Sequence, residues 1–287
     1  MIGGKAGSEL DINQTSLPRI IIVRGGGVGD FLLTFPVIFE SLSRYREVIL
    51  FTKNSYRELL PQDLQKVRTF DLDSELENLP SFAEGADLIT FWKDSSWVRE
   101  VEGYGLRRLH LLESRPSDEP HVTQAMFKKL DWRISSETLR SAWLGDHWNP
   151  SSETLWIHPG SGSSQKNAPF SIFEKRAKEW LARRTDNTVV FSFGEADQAL
   201  KIIVLESDLC SDPRVQTRTY RSLRDFKDTL SECAGSFVGN DSGPSHLAAM
   251  LGIPTDVFFR STNPMIWKPL GPRVRVYLDE SGANRIL

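Results

Sequence analysis

Short, continuously apolar runs alternate with longer amphipathic stretches along most of the chain, and this alternation restricts the fold more than any other feature. "RIIIV" (19–23), "EVILF" (47–51), "KVRTF" (66–70) and "DLITF" (87–91) are each a few residues long and apolar throughout or nearly so. Strands without polar alternation belong to a sheet covered on both faces. Helix candidates occupy about 30–43, 53–60, 95–102 and 120–131, so the strands are joined by crossovers and the sheet is parallel. The same grammar restarts after "SSETLRSAWLGDHWNPSSE" (135–153), a stretch rich in Ser, Trp and turn formers. "TLWIHP" (154–159), "TVVFSF" (188–193), "SFVG" (236–239) and "TDVFF" (255–259) form the second set of strands, with helices at about 170–184, 197–204, 222–233 and 244–251. The 287 residues have room for two such units. The expected division is a polar tail over 1–18, one α/β domain over 19–150 and a second over 151–287; one larger sheet is the alternative.

Charge and cysteine usage remove several function classes. The net charge is −3, and the basic residues lie scattered in pairs such as Arg107-Arg108, Lys128-Lys129 and Arg183-Arg184, unlike the one-sided basic face of a nucleic-acid binder. No apolar run reaches the roughly 18 residues of a membrane span. The N-terminal stretch "MIGGKAGSELDINQTSLP" lacks the apolar core of a secretory signal. Cys210 and Cys233 alone supply neither a disulfide framework nor a four-cysteine metal site. The expected protein is cytoplasmic and binds no nucleic acid.

Three stretches carry chemistry. The first, "RGGGVGDFLLTFP" (24–36), places Gly25 and Gly27 as a dinucleotide fingerprint would, but has Asp30 where the third glycine belongs. A carboxylate there repels a pyrophosphate competing for the same N–H groups, and no Gly-Lys-Ser/Thr follows to make a P-loop. The glycines therefore mean a tight strand-to-helix turn with open space above Asp30. Asp30 is either a helix cap or a base able to take a proton from an incoming hydroxyl. The second stretch, "WIHPGSGSSQKNAPF" (156–170), combines a Gly/Ser turn from Gly160 to Ser164 with Lys166, a mixture suited to an anionic oxygen such as a phosphate. The third, "FVGNDSGPSHLAAMLGIP" (237–254), runs from strand to Asn240-Asp241-Ser242-Gly243 and into a helix opening at Pro244, whose free N–H groups form an anion site. His246 lies within a turn of that opening, either facing the same ligand or satisfied within its helix.

Taken together, "VGDFLLTFP", "HPGSGSSQK" and "GNDSGPSHLAAMLGIP" resemble glycosyltransferase family 9, the ADP-heptose:lipopolysaccharide heptosyltransferases, and "RSTNPMIWKPLG" (260–271) is similar to the family's next segment. The resemblance covers most of 19–278, strongly in the second half and thinly between 45 and 150. It implies a GT-B fold, α/β with two Rossmann-like domains whose parallel sheets face a central cleft. It also implies inverting transfer of a sugar, a heptose from ADP-heptose, to a saccharide acceptor such as lipopolysaccharide core, with no metal and no cofactor beyond the nucleotide-sugar co-substrate.

On the family's pattern Asp30 is the general base, and Lys166 acts with it as a catalytic residue. Ser161, Gly162, Asp241, Ser242, Gly243 and His246 bind the donor's diphosphate and sugar, and Glu195 in "FSFGEAD" holds the nucleoside. Partners are the nucleotide-sugar donor and a saccharide or lipid-linked saccharide, the latter allowing peripheral contact with the inner membrane of a bacterium. Family members commonly run longer and close with a helix that packs back on the first domain, where this sequence reads "DESGANRIL". In the first domain Arg107, Arg108, Trp92 and Trp97 are candidate acceptor contacts, against solvated surface for the arginines and core for the tryptophans. The competing functions are a nucleotide-sugar binder without turnover and a nicotinamide oxidoreductase read from "GGGVGD", which Asp30 disfavours. A nucleotide-sugar epimerase needs further acid–base residues that the sequence does not display.

Overall fold

The computed structural model describes residues 17–64, 66–118, 120–278 and 285–286; residues 1–16 of the expected tail lie outside them. The first five strands are β1 (Leu17–Arg24), β2 (Tyr45–Thr52), β3 (Arg68–Asp71), β4 (Asp87–Thr90) and β5 (Arg108–Leu111). They form one parallel sheet in the order β3-β2-β1-β4-β5. Ile20 to Val23 are buried on both faces of the central strand, as their unbroken apolar run requires. Its crossovers are α1 (Val28–Leu32), α2 (Phe35–Arg44), α3 (Asn54–Arg57), α4 (Pro80–Ala83) and α5 (Ser95–Glu102), with α6 (Val122–Lys129) following the last strand. The single helix expected over 30–43 is two helices. Pro36 lies at the start of α2, where a missing N–H costs nothing and a continuing helix would need one.

The second sheet contains β6 (Thr154–His158), β7 (Thr188–Phe193), β8 (Val215–Thr219), β9 (Ser236–Asn240), β10 (Thr255–Phe259), β11 (Val274–Leu278) and β12 (Arg285–Ile286). Its order is β12-β11-β10-β9-β6-β7-β8, parallel except for the β11–β12 pair. Helices α7 (Phe170–Leu181), α8 (Gln198–Leu205), α9 (Leu223–Cys233), α10 (Gly243–Met250) and α11 (Pro264–Trp267) complete the unit. The architecture is two parallel-strand α/β sheets of the GT-B type. Strands β5 and β8, absent from the sequence reading, are edge strands with mixed burial, so neither shows a continuous apolar run.

Two helix openings bring the halves together. The start of α1 packs against the start of α10 so closely that a Cβ on Gly243 would lie 1.9 Å from Val28 Cγ1, and one on Gly29 would lie 3.1 Å from the His246 ring. Glycine at both positions is what permits the approach. The segment over 135–153 is strapped down: Leu144 and His147 donate main-chain hydrogen bonds to Met250 and Leu251, Trp148 Nε1 donates to the Gly235 carbonyl, and Trp143 packs on Phe39 of α2. Gly243→Ala is expected to cost about 1–3 kcal/mol by overpacking against Val28. Urea denaturation measures the loss, and the double variant with Val28→Ala should recover part of it.

Candidate active site

In an open parallel sheet, a crevice forms beyond the carboxyl ends of the strands where the chain order reverses. Here β1 lies between β2 and β4, and β6 between β7 and β9. The loop after β1 therefore faces the loops after β6 and β9. Between them opens a cleft of about 770 Å³. Asp30, Ser161, Gly162, Lys166, Glu195, Asp241, Ser242, Gly243 and His246 all line it, so residues up to 216 positions apart in sequence share one wall-to-wall space.

Asp30 sits in the first turn of α1, after a turn that Gly26 makes with φ of 89°. It caps the helix, with Oδ2 accepting from the Gly27 N–H at 3.0 Å. It also faces the cleft, since its side chain keeps a third of its surface exposed. The two readings of this residue are thus not exclusive.

On the opposite wall, Ser242 is the N-cap of α10, with its side chain making no capping bond. Its Oγ and His246 Nδ1 are buried polar atoms without a hydrogen-bond partner among the described residues. Buried polar groups are ordinarily satisfied, so the mouth of this helix has unused hydrogen-bonding capacity beside its free N–H groups. Asn240 braces the loop: its amide donates to the Pro159 carbonyl at 2.7 Å and accepts from the Ala168 N–H at 2.8 Å, which fixes the β6 loop against β9. Ser161 shapes that loop from within, its hydroxyl lying 2.6 Å from Asn167 Oδ1 and 2.7 Å from the Ser163 carbonyl.

Lys166 Nζ lies 2.7 Å from Asp241 Oδ2, which also accepts from Thr262 Oγ1 at 2.6 Å. His246 Nε2 stands 3.6 Å from Asp241 Oδ1. Burial pushes the Asp241 carboxyl up, but the His246 ring and the Lys166 ammonium outweigh it and hold it down at about 2. The carboxylate expected to meet sugar hydroxyls is thus already committed to Lys166 and Thr262, and it fixes the lysine's place in the cleft. Glu195 opens a short turn after β7 and is exposed at the rim. Beneath it, Asp197 accepts from the Gly194 N–H at 2.7 Å and lies 3.5 Å from His158 Nε2.

The sequence profile of glycosyltransferase family 9 (heptosyltransferase) matches residues 128–285, more than half of the chain. The chain belongs to this family and is a glycosyltransferase. No curated protein matches it in sequence. Among solved structures, a family 9 glycosyltransferase from Veillonella parvula superimposes with a TM-score of 0.70 at 14% identity, covering 92% of this chain and 88% of that one. E. coli heptosyltransferase WaaC with ADP follows at 0.68, 15% identity and 91% and 93% coverage. E. coli ADP-heptose lipopolysaccharide heptosyltransferase II stands at 0.66, 16% identity and 90% and 89% coverage. At these identities the likeness is one of fold.

In this family 9 chain the acceptor candidates fall away from the cleft. Arg107 and Arg108 sit at the entry of β5, the end of the sheet opposite to the cleft, where Arg107 pairs with the buried Asp87 at the entry of β4. Trp92 and Trp97 pack edge to face at 5.1 Å within the first domain's apolar layer, with Trp97 Nε1 donating to Thr90 Oγ1. Residues that the sequence did not single out line the cleft instead: Arg115, Thr262 and Trp267. Thr262 and Trp267 fall in the 260–271 segment, Trp267 closing α11, but nothing in the letters marks either of them or Arg115, and only the fold brings them to the site. Among the described residues no three His, Cys, Asp or Glu side chains converge as a metal-ligand set, and no helix is long and apolar enough to cross a membrane.

Two buried histidines are expected to lower the stability of the fold in acid. Burial pushes both His158, beside the cleft, and His121, whose Nε2 meets the Lys268 carbonyl, down to about 4. On unfolding each ring regains its ordinary affinity near 6.5 and takes up a proton. Their contribution is full above pH 6.5 and is lost as pH falls towards 4, by up to about 1.4 kcal/mol per pH unit for each ring. Urea titrations at pH 7, 5.5 and 4.5 should show this decline, and His158→Gln should make it shallower.

Proposed function

We propose that the protein transfers a sugar, a heptose from ADP-heptose, to a saccharide acceptor such as lipopolysaccharide core, with inversion and without a metal. The observation that carries this reading is the single cleft in which Asp30 on one wall confronts Lys166 and the opening of α10 on the other. The reaction needs a base for the acceptor hydroxyl and positive potential for the departing diphosphate, and these are the groups that the two walls supply.

In the proposed step the acceptor oxygen attacks the anomeric carbon while the bond from that carbon to the diphosphate breaks. The hydroxyl proton passes to Asp30, and the electron pair of the broken bond goes to the diphosphate. Lys166, the Gly243 N–H and the unpartnered Ser242 Oγ receive that charge, with His246 beside them. A Lys and a helix opening held in place before reaction are worth several kcal/mol to such a transition state, as in an oxyanion hole. Glu195 at the rim is suited to the ribose hydroxyls. Asp241 holds Lys166 until the diphosphate arrives and then has an oxygen to offer a sugar hydroxyl. The reading places the enzyme in the bacterial cytoplasm, meeting a lipid-linked acceptor at the inner membrane.

Calorimetry of ADP, GDP, UDP and NAD in the presence of EDTA tests the donor side. Preferential binding of ADP is expected, whereas binding of NAD alone overturns the reading. Asp30→Asn should lower kcat by about 10²–10⁴-fold and leave ADP affinity within about twofold, because the base acts only on the acceptor proton. Lys166→Ala should weaken ADP binding by about tenfold or more and slow turnover as well. Unchanged ADP affinity would assign that lysine to structure alone.

A further inference from the structure

A buried arginine at the end of a central strand needs an explanation, because an unpaired buried charge costs several kcal/mol. Arg24, the last residue of β1, has a side chain only 3% exposed. Burial pushes its guanidinium down to about 10 against the opposing pull of Asp30. Its Cζ lies 3.8 Å from the centroid of the Phe91 ring, which covers one face with apolar surface. The described hydrogen bonds and ion pair of the guanidinium all go to Asp30. Nη2 and Nε donate to the Asp30 main-chain oxygen at 3.1 and 3.3 Å, and Nη2 lies 3.5 Å from the carboxylate Oδ1. Oδ2 is taken by the Gly27 N–H at 3.0 Å.

The carboxylate is therefore held at both oxygens, one by a main-chain N–H and the other by a charge fixed in the core. We infer that Arg24 is the positioning residue of the site, holding Asp30 by its main chain and its carboxylate in the orientation that meets the acceptor hydroxyl. The inference rests on the reading of Asp30 as the base. Arginine suits the task better than lysine because its rigid fork reaches two oxygens of one residue at once, and because it keeps its proton throughout. The arrangement leaves the outward face of Asp30 open to the cleft.

The test reads Asp30 directly and then turnover. Wild type, Arg24→Gln and Arg24→Lys are labelled with a carbodiimide and an amine at one pH, and modification of Asp30 is followed by mass spectrometry, with Glu195 as the exposed reference. Melting temperature confirms that each variant is folded. Gln retains an N–H for the main-chain oxygen but removes the charge beside the carboxylate, so Asp30 labelling should rise about tenfold, the worth of one charge-assisted contact. With ADP-heptose and heptose-deficient lipopolysaccharide, kcat should fall about 10²-fold while ADP affinity and the donor KM stay within about twofold, the pattern of a misplaced group rather than a lost ligand contact. Lys restores the charge without the fork and should recover part of both losses. Labelling or kcat unchanged in Arg24→Gln, or no recovery in Arg24→Lys, overturns the inference. Asp30→Asn separates the two claims: its normal turnover removes Asp30 from catalysis, whereas the labelling of Asp30 still reports whether Arg24 holds it.

Discussion

The contact between the openings of α1 and α10 is the constraint on which the site depends. Two helices meet at their N-terminal ends, Val28 against Gly243 and Gly29 against the His246 ring, with no room for a Cβ on Gly243. Because both helices begin at the carboxyl end of a central strand, this one approach aligns the reversal points of two separate sheets. It also brings two positive helix ends to the same cleft, which is unfavourable without negative charge between them. Asp30 in the first turn of α1 and Asp241 just before α10 supply that charge within the protein.

Each of these carboxylates is in turn tied to a cation. Asp241 holds Lys166 on the second domain's wall of the cleft, and Asp30 is held by Arg24 from within the first domain. The two pairs differ in a way that suits different tasks. Lys166 is a third exposed on a flexible stem, whereas Arg24 is buried against Phe91. Under the proposed function, a diphosphate entering the cleft would meet the more exposed of the two cations, and an acceptor would meet a carboxylate braced from the core.

Much of the site was legible because its residues lie in short motifs at the ends of strands. "GNDSGPSHLAA" encodes a strand end, a cap and a proline-started helix in consecutive letters, and "HPGSGSSQK" encodes the facing turn. What stayed hidden is whatever depends on distance in sequence. Thr262 reads as an ordinary loop threonine until the fold sets its hydroxyl 2.6 Å from Asp241. Arg24 reads as the polar end of a strand until the fold buries its guanidinium against Phe91 and turns it onto Asp30. Arg107 and Arg108 left acceptor contact and solvated surface both open, because a basic pair is visible in the letters while the end of the sheet on which it falls is not. Edge strands β5 and β8 were missed because half-exposed strands lose the apolar run that marks central ones.

The sequence by itself determined the two α/β units, the three loops that line the cleft and the family to which they belong. Apolar periodicity, glycine turns and helix caps act over a few residues and are written in consecutive letters. Only the tertiary structure decided which charges pair, that Asp30 is gripped by Arg24 while Asp241 takes Lys166, and that the basic pair of β5 lies away from the cleft. These are matters of strand order and interdomain approach, set by packing between segments up to 216 positions apart that no local pattern records.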